Sequence, residues 1–407
     1  MFFDTRAELV AGSRDWFSKI WATFGLLLFA STWKLWTPQS IFPQVPFVEW
    51  LCRWPAWIDW ICLVGISGSL LVCLIAQTRL EFAARASFLI FVTVLVLLDQ
   101  HRLQPWVYNL VILGVFLGFQ ERMQANACLR WITISIYFYS GISKLDYQFA
   151  NSLGQEIAVA MSNLLKLDTV DWSPEHWQGL ALSLPVTELL IGILLCFRTA
   201  RTWSVPMACL FHAALIVVLG PGGLHHKPAV IIWNLFFIAQ LIYLFWPALN
   251  PGAGRVSALD GRRPVATLIC LSILLFPATR FVGISDSWPA WELYAPRGSR
   301  VKVELFAMPA SLKRFATNDQ LPAEIDLNRM SLELLNVPVY PQDRFQIGVV
   351  LGLLQQPDLN GKARVTVFGE SDRFTGERKA TILSGKAELR DFARKFWLNA
   401  LPRVDLP

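Results

Sequence analysis

Charge is scarce in this chain of 407 residues. Only 16% of its residues are Asp, Glu, Lys or Arg, five are His, and 54% are hydrophobic. A soluble globular domain carries about 25% charge. With a mean hydropathy of +0.44, the composition excludes an ordinary soluble enzyme of two or three domains and indicates a membrane protein. Useful cysteine patterns are missing too. The seven Cys fall at 52, 62, 73, 128, 196, 209 and 270, with no C-x-x-C and none after Cys270. That spacing excludes a disulfide scaffold, a zinc ribbon and a thioredoxin-like centre. No Walker spacing occurs, so the glycines from Gly220 to Gly223 are not a phosphate loop. No N-terminal leader is expected either, because Met1 to Leu9 holds Asp4, Arg6 and Glu8 and no small-residue cleavage site follows the first apolar run.

Long apolar runs are what the chain does have. A bilayer core needs roughly 20 mostly apolar helical residues. Nine segments approach that length: Phe17 to Trp33, Trp57 to Ala76, Ala84 to Leu98, Pro105 to Phe119, Cys128 to Leu145, Ala181 to Phe197, Trp203 to Leu219, Val230 to Leu249 and Val265 to Phe281. Eighteen Trp and 28 Phe against seven Tyr fit a chain with much interfacial and lipid-facing aromatic surface. The expected fold is therefore a polytopic α-helical membrane domain over residues 10–281, followed by a soluble α+β tail over 283–407.

Lys and Arg concentrate on cytoplasmic flanks, which sets orientation. With the N-terminus inside, the cytoplasmic flanks hold twelve cations: Arg6, Arg14, Lys19, Arg79, Arg85, Arg122, Arg130, Arg198, Arg201, Arg255, Arg262 and Arg263. The opposite flanks hold six: Lys34, Arg53, Arg102, Lys144, Lys166 and Lys227. Nine crossings from that start place the tail outside, and a bacterial-type plasma membrane is the expected location. The net charge of +6 is then mostly a membrane-flank property and not a nucleic-acid footprint. In the tail, Arg300 to Phe306 and Ala363 to Phe368 alternate apolar and polar residues and predict strands, while Ala387 to Leu398 has helical spacing.

Ionisable groups inside or beside spans are costly and so become site candidates. Asp99, His101 and Arg102 follow the third run and read either as a polar interhelical turn or as the proton-handling and anion-holding rim of a cavity. The stretch Tyr137-Phe-Tyr-Ser-Gly-Ile-Ser-Lys144-Leu-Asp146 puts small residues beside a lysine near the membrane surface. Lys144 there either snorkels next to Asp146 or is a buried amine able to act as a base. Glu188 lies mid-span and requires a partner or a wet cavity, and His212 shares that logic. His225, His226 and Asn234 flank the next span. Two adjacent histidines without a placed third ligand do not define a metal site.

The string ending Ser-Gly-x-x-Lys144-Leu-Asp146, with Glu188 in the next span and Phe211-His212 after it, resembles the HTTM family, the membrane domain shared with vitamin K-dependent γ-glutamyl carboxylase. It is also similar to the DoxX and MauE group of small redox-associated membrane proteins. The resemblance covers roughly residues 10 to 280, and only the short Ser-Gly-x-x-Lys-Leu-Asp stretch is specific. It implies an extracytoplasmic site, a lipophilic ligand such as a quinone or quinol, and Lys144 as the base that takes a hydroquinone proton. The carboxylase has two consecutive lysines where this chain has Ser143-Lys144, and the tail is far shorter than the carboxylase lumenal domain, so γ-carboxylation of proteins is not implied. On this reading Lys144, His212 and Glu188 are the catalytic candidates. Asp99, His101, Arg102, Asp146, His225, His226 and Asn234 are cavity or ligand candidates. Two rivals remain open. One is a non-enzymatic scaffold or redox-associated partner whose tail binds an extracytoplasmic protein; the other is a transporter, which would need broken helices in matched halves.

Overall fold

The structure is a computed structural model, and it describes residues 5–76, 79–118, 122–246, 264–318, 320–359 and 362–403. It is mostly helical. Eleven α-helices precede residue 283 among the described residues: α1 (Thr5–Ser31), α2 (Trp57–Ile75), α3 (Arg79–Leu98), α4 (Pro105–Gly118), α5 (Arg122–Ser143), α6 (Tyr147–Ala150), α7 (Leu153–Leu164), α8 (Pro174–Cys196), α9 (Arg201–Leu219), α10 (Pro228–Phe245) and α11 (Pro264–Leu275). Among the described residues six helical segments are long and apolar enough to cross a membrane: Trp57–Ile75, Arg79–Leu98, Pro174–Cys196, Arg198–Leu219, Pro228–Phe245 and Pro264–Val282. They match six of the nine runs expected from the sequence.

The other three runs are helical but fall short of that standard for identifiable reasons. The apolar parts of α1 (Trp16–Ser31) and of α4 are too short. The run Cys128 to Leu145 falls on α5 as far as Ser143, and the first half of that helix carries Arg122, Gln124, Asn126 and Arg130. Arg130 is buried and its Nε donates to the Leu244 carbonyl at 2.8 Å, so α5 is a helix that faces protein with polar groups satisfied there. Phe119, residues 247–249 and the cations Arg255, Arg262 and Arg263 lie outside the described residues. Many side chains on the candidate spans are apolar and exposed, Val64, Ile75, Leu210 and Val217 among them, which is the pattern expected where lipid and not water covers the helix.

By internal packing the chain forms two compact units, each assembled from separate stretches of sequence. The first comprises Met1–Leu28, Gly68–Leu89 and Pro105–Pro296. Its helices are tied by buried polar groups as well as apolar contacts. Gln240 on α10 accepts from Asn109 on α4 at 3.1 Å and donates to Thr133 on α5 at 2.9 Å. Ser18 on α1 donates to Glu81 on α3 at 2.5 Å, and Arg85 pairs with the same carboxylate.

The second unit comprises Phe29–Ser67, Ile90–Gln104 and Arg297–Pro407. It contains β1 (Arg300–Leu305), β2 (Ala323–Ile325), α12 (Leu327–Leu335), α13 (Asp343–Leu353), β3 (Ala363–Phe368), β4 (Ala380–Ser384) and α14 (Gly385–Ala393). The sheet is antiparallel in the order β2-β1-β3-β4, with Val303 opposite Val365. Period-2 burial follows from the sequence: Val303 and Leu305 of β1 and Ala363, Val365 and Val367 of β3 face the core, and α13 packs on β1. The expected strands and the last helix are present, the helix ending at Ala393 instead of Leu398.

Asp59, in the first turn of α2, is fully buried between two guanidinium groups of this unit. Arg102 Nη2 lies 2.5 Å from one carboxylate oxygen and Arg403 Nη1 2.6 Å from the other. Arg102 also donates to the carbonyls of Leu35 and Leu95, and Arg403 to those of Trp54 and Pro55. One carboxylate therefore holds together the start of α2, the turn after α3 and the C-terminal segment.

Candidate functional site

A cavity in the first unit gathers four of the residues singled out from the sequence. Lys144, Glu188, His212 and Asn234 all line it. The local sequence explains how α5 delivers its share. Tyr137, Ser140 and Lys144 recur at intervals of three and four, so they occupy one helical face. Gly141 sits against α8, where a Cβ would come within 2.7 Å of Leu189 Cγ and 3.0 Å of the Pro185 carbonyl oxygen. A glycine there lets the two helices meet closely enough for Lys144 to reach Glu188.

Lys144 Nζ lies 2.6 Å from Glu188 Oε2, with the two side chains only 5% and 13% exposed. The ammonium also donates to Ser140 Oγ at 2.8 Å and to the Leu293 carbonyl at 3.3 Å. All three of its donors are thus directed to acceptors. Asp146, expected beside the lysine, instead caps α6 by accepting from the Phe149 amide at 2.7 Å.

A second polar string enters the same cavity. Asn234 Nδ2 donates to the Val230 carbonyl, which turns its Oδ1 toward His212 Nδ1 at 2.8 Å. Nδ1 therefore carries the proton, and Nε2 accepts from the Tyr137 hydroxyl at 2.6 Å. Tyr137 was not among the candidates read from the sequence, although its spacing to Lys144 was the available signal. Trp233, also missed, lines the cavity and has a buried indole N–H without an acceptor among the described residues. Nothing in the sequence separates that Trp from the lipid-facing ones.

The remaining walls are apolar, supplied by residues such as Phe149, Ile157, Leu215 and Phe237. Tyr294 closes part of the lining with a left-handed backbone, φ 58°, and burial pushes its hydroxyl pKa well up. The cavity volume is about 80 Å³, well under the roughly 300–1,000 Å³ of typical ligand sites. A whole lipophilic molecule exceeds this volume.

The other candidates lie elsewhere. His225 and His226 form the tight turn after α9, their amides donating to the Gly220 and Leu219 carbonyls. His226 rests against the Tyr294 ring, centroids 5.8 Å apart, and burial lowers its pKa. Neither histidine lines the cavity. Among the described residues no group of three or more His, Cys, Asp or Glu is placed to hold a metal.

Asp99, His101 and Arg102 belong to the second unit and do not line the cavity either. Asp99 accepts from the amides of Val45 and His101, both at 3.2 Å. Burial pushes its pKa up to about 6 against the opposing pull of Arg102. His101 Nε2 lies 2.9 Å from the Pro338 carbonyl and 3.2 Å from Ser331 Oγ. The Ser331 proton goes to the Val337 carbonyl, so His101 Nε2 is the donor. Burial lowers the His101 pKa to about 4, which keeps the ring neutral at pH 7.

No protein-family model matches this chain, and no curated protein or solved structure matches it.

Proposed function

We propose that the protein is an HTTM-like integral membrane protein that uses this cavity to hold the headgroup of a lipophilic redox ligand such as a quinol, with Lys144 as general base. The observation that carries the reading is the Lys144–Glu188 pair, 2.6 Å apart and nearly dry, at a cavity also lined by Trp233, whose indole N–H has no acceptor among the described residues. Two opposite charges out of water are costly unless the geometry is good and the remaining donors are satisfied. For Lys144 to act as base, its ammonium first passes one proton across the short contact to Glu188, giving an amine beside a carboxylic acid. The amine then takes the phenolic proton, leaving an ammonium beside the new phenolate. General-base action of this kind contributes about 100- to 10,000-fold. Trp233 supplies a donor for a ligand oxygen, while His212, fixed by Asn234, holds the Tyr137 hydroxyl at the cavity wall.

The Lys/Arg distribution supports a cytoplasmic N-terminus, and nine crossings, counting α1, α4 and α5 with the six longer segments, would put the tail outside in a bacterial-type plasma membrane. The resemblance carried by Lys144-Leu-Asp146 points to the same outward side. A photoreactive short-chain quinone tests the reading: label is expected on peptides containing Tyr137 to Lys144 or Trp233 to Phe237, reduced by excess unlabelled quinol. Uniform labelling of the candidate spans, unaffected by competition, would contradict it.

A further inference from the structure

A second concavity, sharing no residue with the cavity above, lies within the second unit. It has a volume of about 700 Å³ and is lined by Glu49, Trp50, Cys52 and Arg53 of a 3₁₀ turn and by Lys386 and Arg390 of α14, among others. Three cations thus face one carboxylate. None of Arg53, Lys386 and Arg390 forms an ion pair among the described residues, whereas nearby carboxylates are engaged elsewhere: Glu388 accepts from the Ser384 amide at 2.7 Å and Asp391 pairs with Arg394. Lys386 and Arg390, four residues apart, share one face of α14. Burial raises the pKa of the Cys52 thiol, so the floor stays neutral and adds no negative charge.

The sequence around this cleft also fixes its surroundings. Trp50 is 63% exposed, and Trp57 and Trp60 are 59% and 50% exposed. Trp50 and Trp54 meet edge to face with centroids 5.3 Å apart. Trp57 opens α2, a candidate span of mean hydropathy 2.2. Exposed indoles at the first turn of a span belong to the headgroup zone of a bilayer. Arg53 lies four residues before Trp57 in the chain, and Lys386 and Arg390 line the same cleft as Arg53.

We infer that this cleft binds the phosphate-bearing headgroup of an anionic membrane lipid. Phosphate oxygens accept from Arg53, Lys386 and Arg390, and the exposed indoles beside Arg53 cover the glycerol and upper acyl region. Clustered cations at a membrane surface each add attraction for anionic lipid, and here three act on one site.

The test uses the full-length protein in neutral detergent, incubated with phosphatidylglycerol or phosphatidylcholine of the same acyl composition and examined by native mass spectrometry. The parent is expected to retain phosphatidylglycerol at least about 10-fold better than phosphatidylcholine. The triple variant Arg53→Gln, Lys386→Gln, Arg390→Gln should lose that preference while melting at the parent temperature, since all three side chains are exposed. Glycerol phosphate at the same concentration should fail to displace the lipid. An unchanged preference in the triple variant would overturn the inference. So would displacement by glycerol phosphate, which would make this a site for soluble anions, or displacement by an acidic peptide, which would make it a protein-docking surface.

Discussion

Lys144 and Glu188 are each other's principal partner, and that dictates how substitutions should behave. Glu188→Gln leaves a buried ammonium without its counter-charge and should cost about 3–5 kcal/mol. Replacing both members, Lys144→Met with Glu188→Leu, removes the uncompensated charge and should recover most of that loss. Thermal melts in detergent check this, and a double variant no more stable than Glu188→Gln would deny the pair its mutual role. Tyr137→Phe should cost less, about 1–3 kcal/mol, by leaving His212 Nε2 without a donor. Lys144, Glu188, His212 and Asn234 were each legible in the sequence because polar groups in apolar runs stand out. Their pairing was not. Asp146 is two residues from Lys144 and Glu188 is forty-four away, so chain proximity pointed to the wrong carboxylate; Asp146 accepts from the Phe149 amide at the start of α6. Trp233 was invisible as a site residue because aromatic side chains are common throughout these helices, and Tyr137 was marked only by its helical spacing to Lys144.

Among the elements, α5 and α8 depend on Gly141. Gly141→Val should force the helices apart, destabilise by about 1–3 kcal/mol and separate Lys144 from Glu188; a melting temperature equal to the parent would contradict the contact. The turn after α3 carries a different signature. Asp99, with its pKa raised to about 6, binds a proton more readily folded than unfolded, so its contribution falls as pH rises from about 4 to 6. His101, lowered to about 4, binds a proton more readily unfolded, so its contribution rises from about pH 4 to 6.5. The two nearly cancel. Asp99→Asn removes one side of the balance, and relative to the parent its stability should increase as pH rises from about 4 to 6, by an amount on the order of 3 kcal/mol. Melting profiles that stay parallel across that range would show that Asp99 does not titrate in this way. The sequence marked this turn as polar but offered two readings. Contacts to Val45, Pro338 and Ser331, remote in sequence, are what give its side chains structural partners.

At the scale of the whole molecule, the helical membrane class and the strands β1 and β3 were legible because they rest on local periodicity. The packing of units from separated stretches was not, since it depends on long-range partners such as Asp59 with Arg403. The proposed orientation predicts that a single cysteine placed at exposed Lys395, in a cysteine-free background, reacts with a membrane-impermeant maleimide added to intact cells. One placed at Arg198 should react only after lysis. The reverse pattern would turn the molecule over and remove the outward site from the proposal.

The most direct measurement is quinol binding and turnover by the purified protein in lipid nanodiscs, comparing the parent with Lys144→Ala at equal amounts of folded protein and with the stabilised Lys144→Met, Glu188→Leu double variant as a second check. A lysine acting as general base predicts that both variants fall by about 100-fold or more in turnover. Binding and turnover at the parent level in either variant would contradict the proposed role of Lys144.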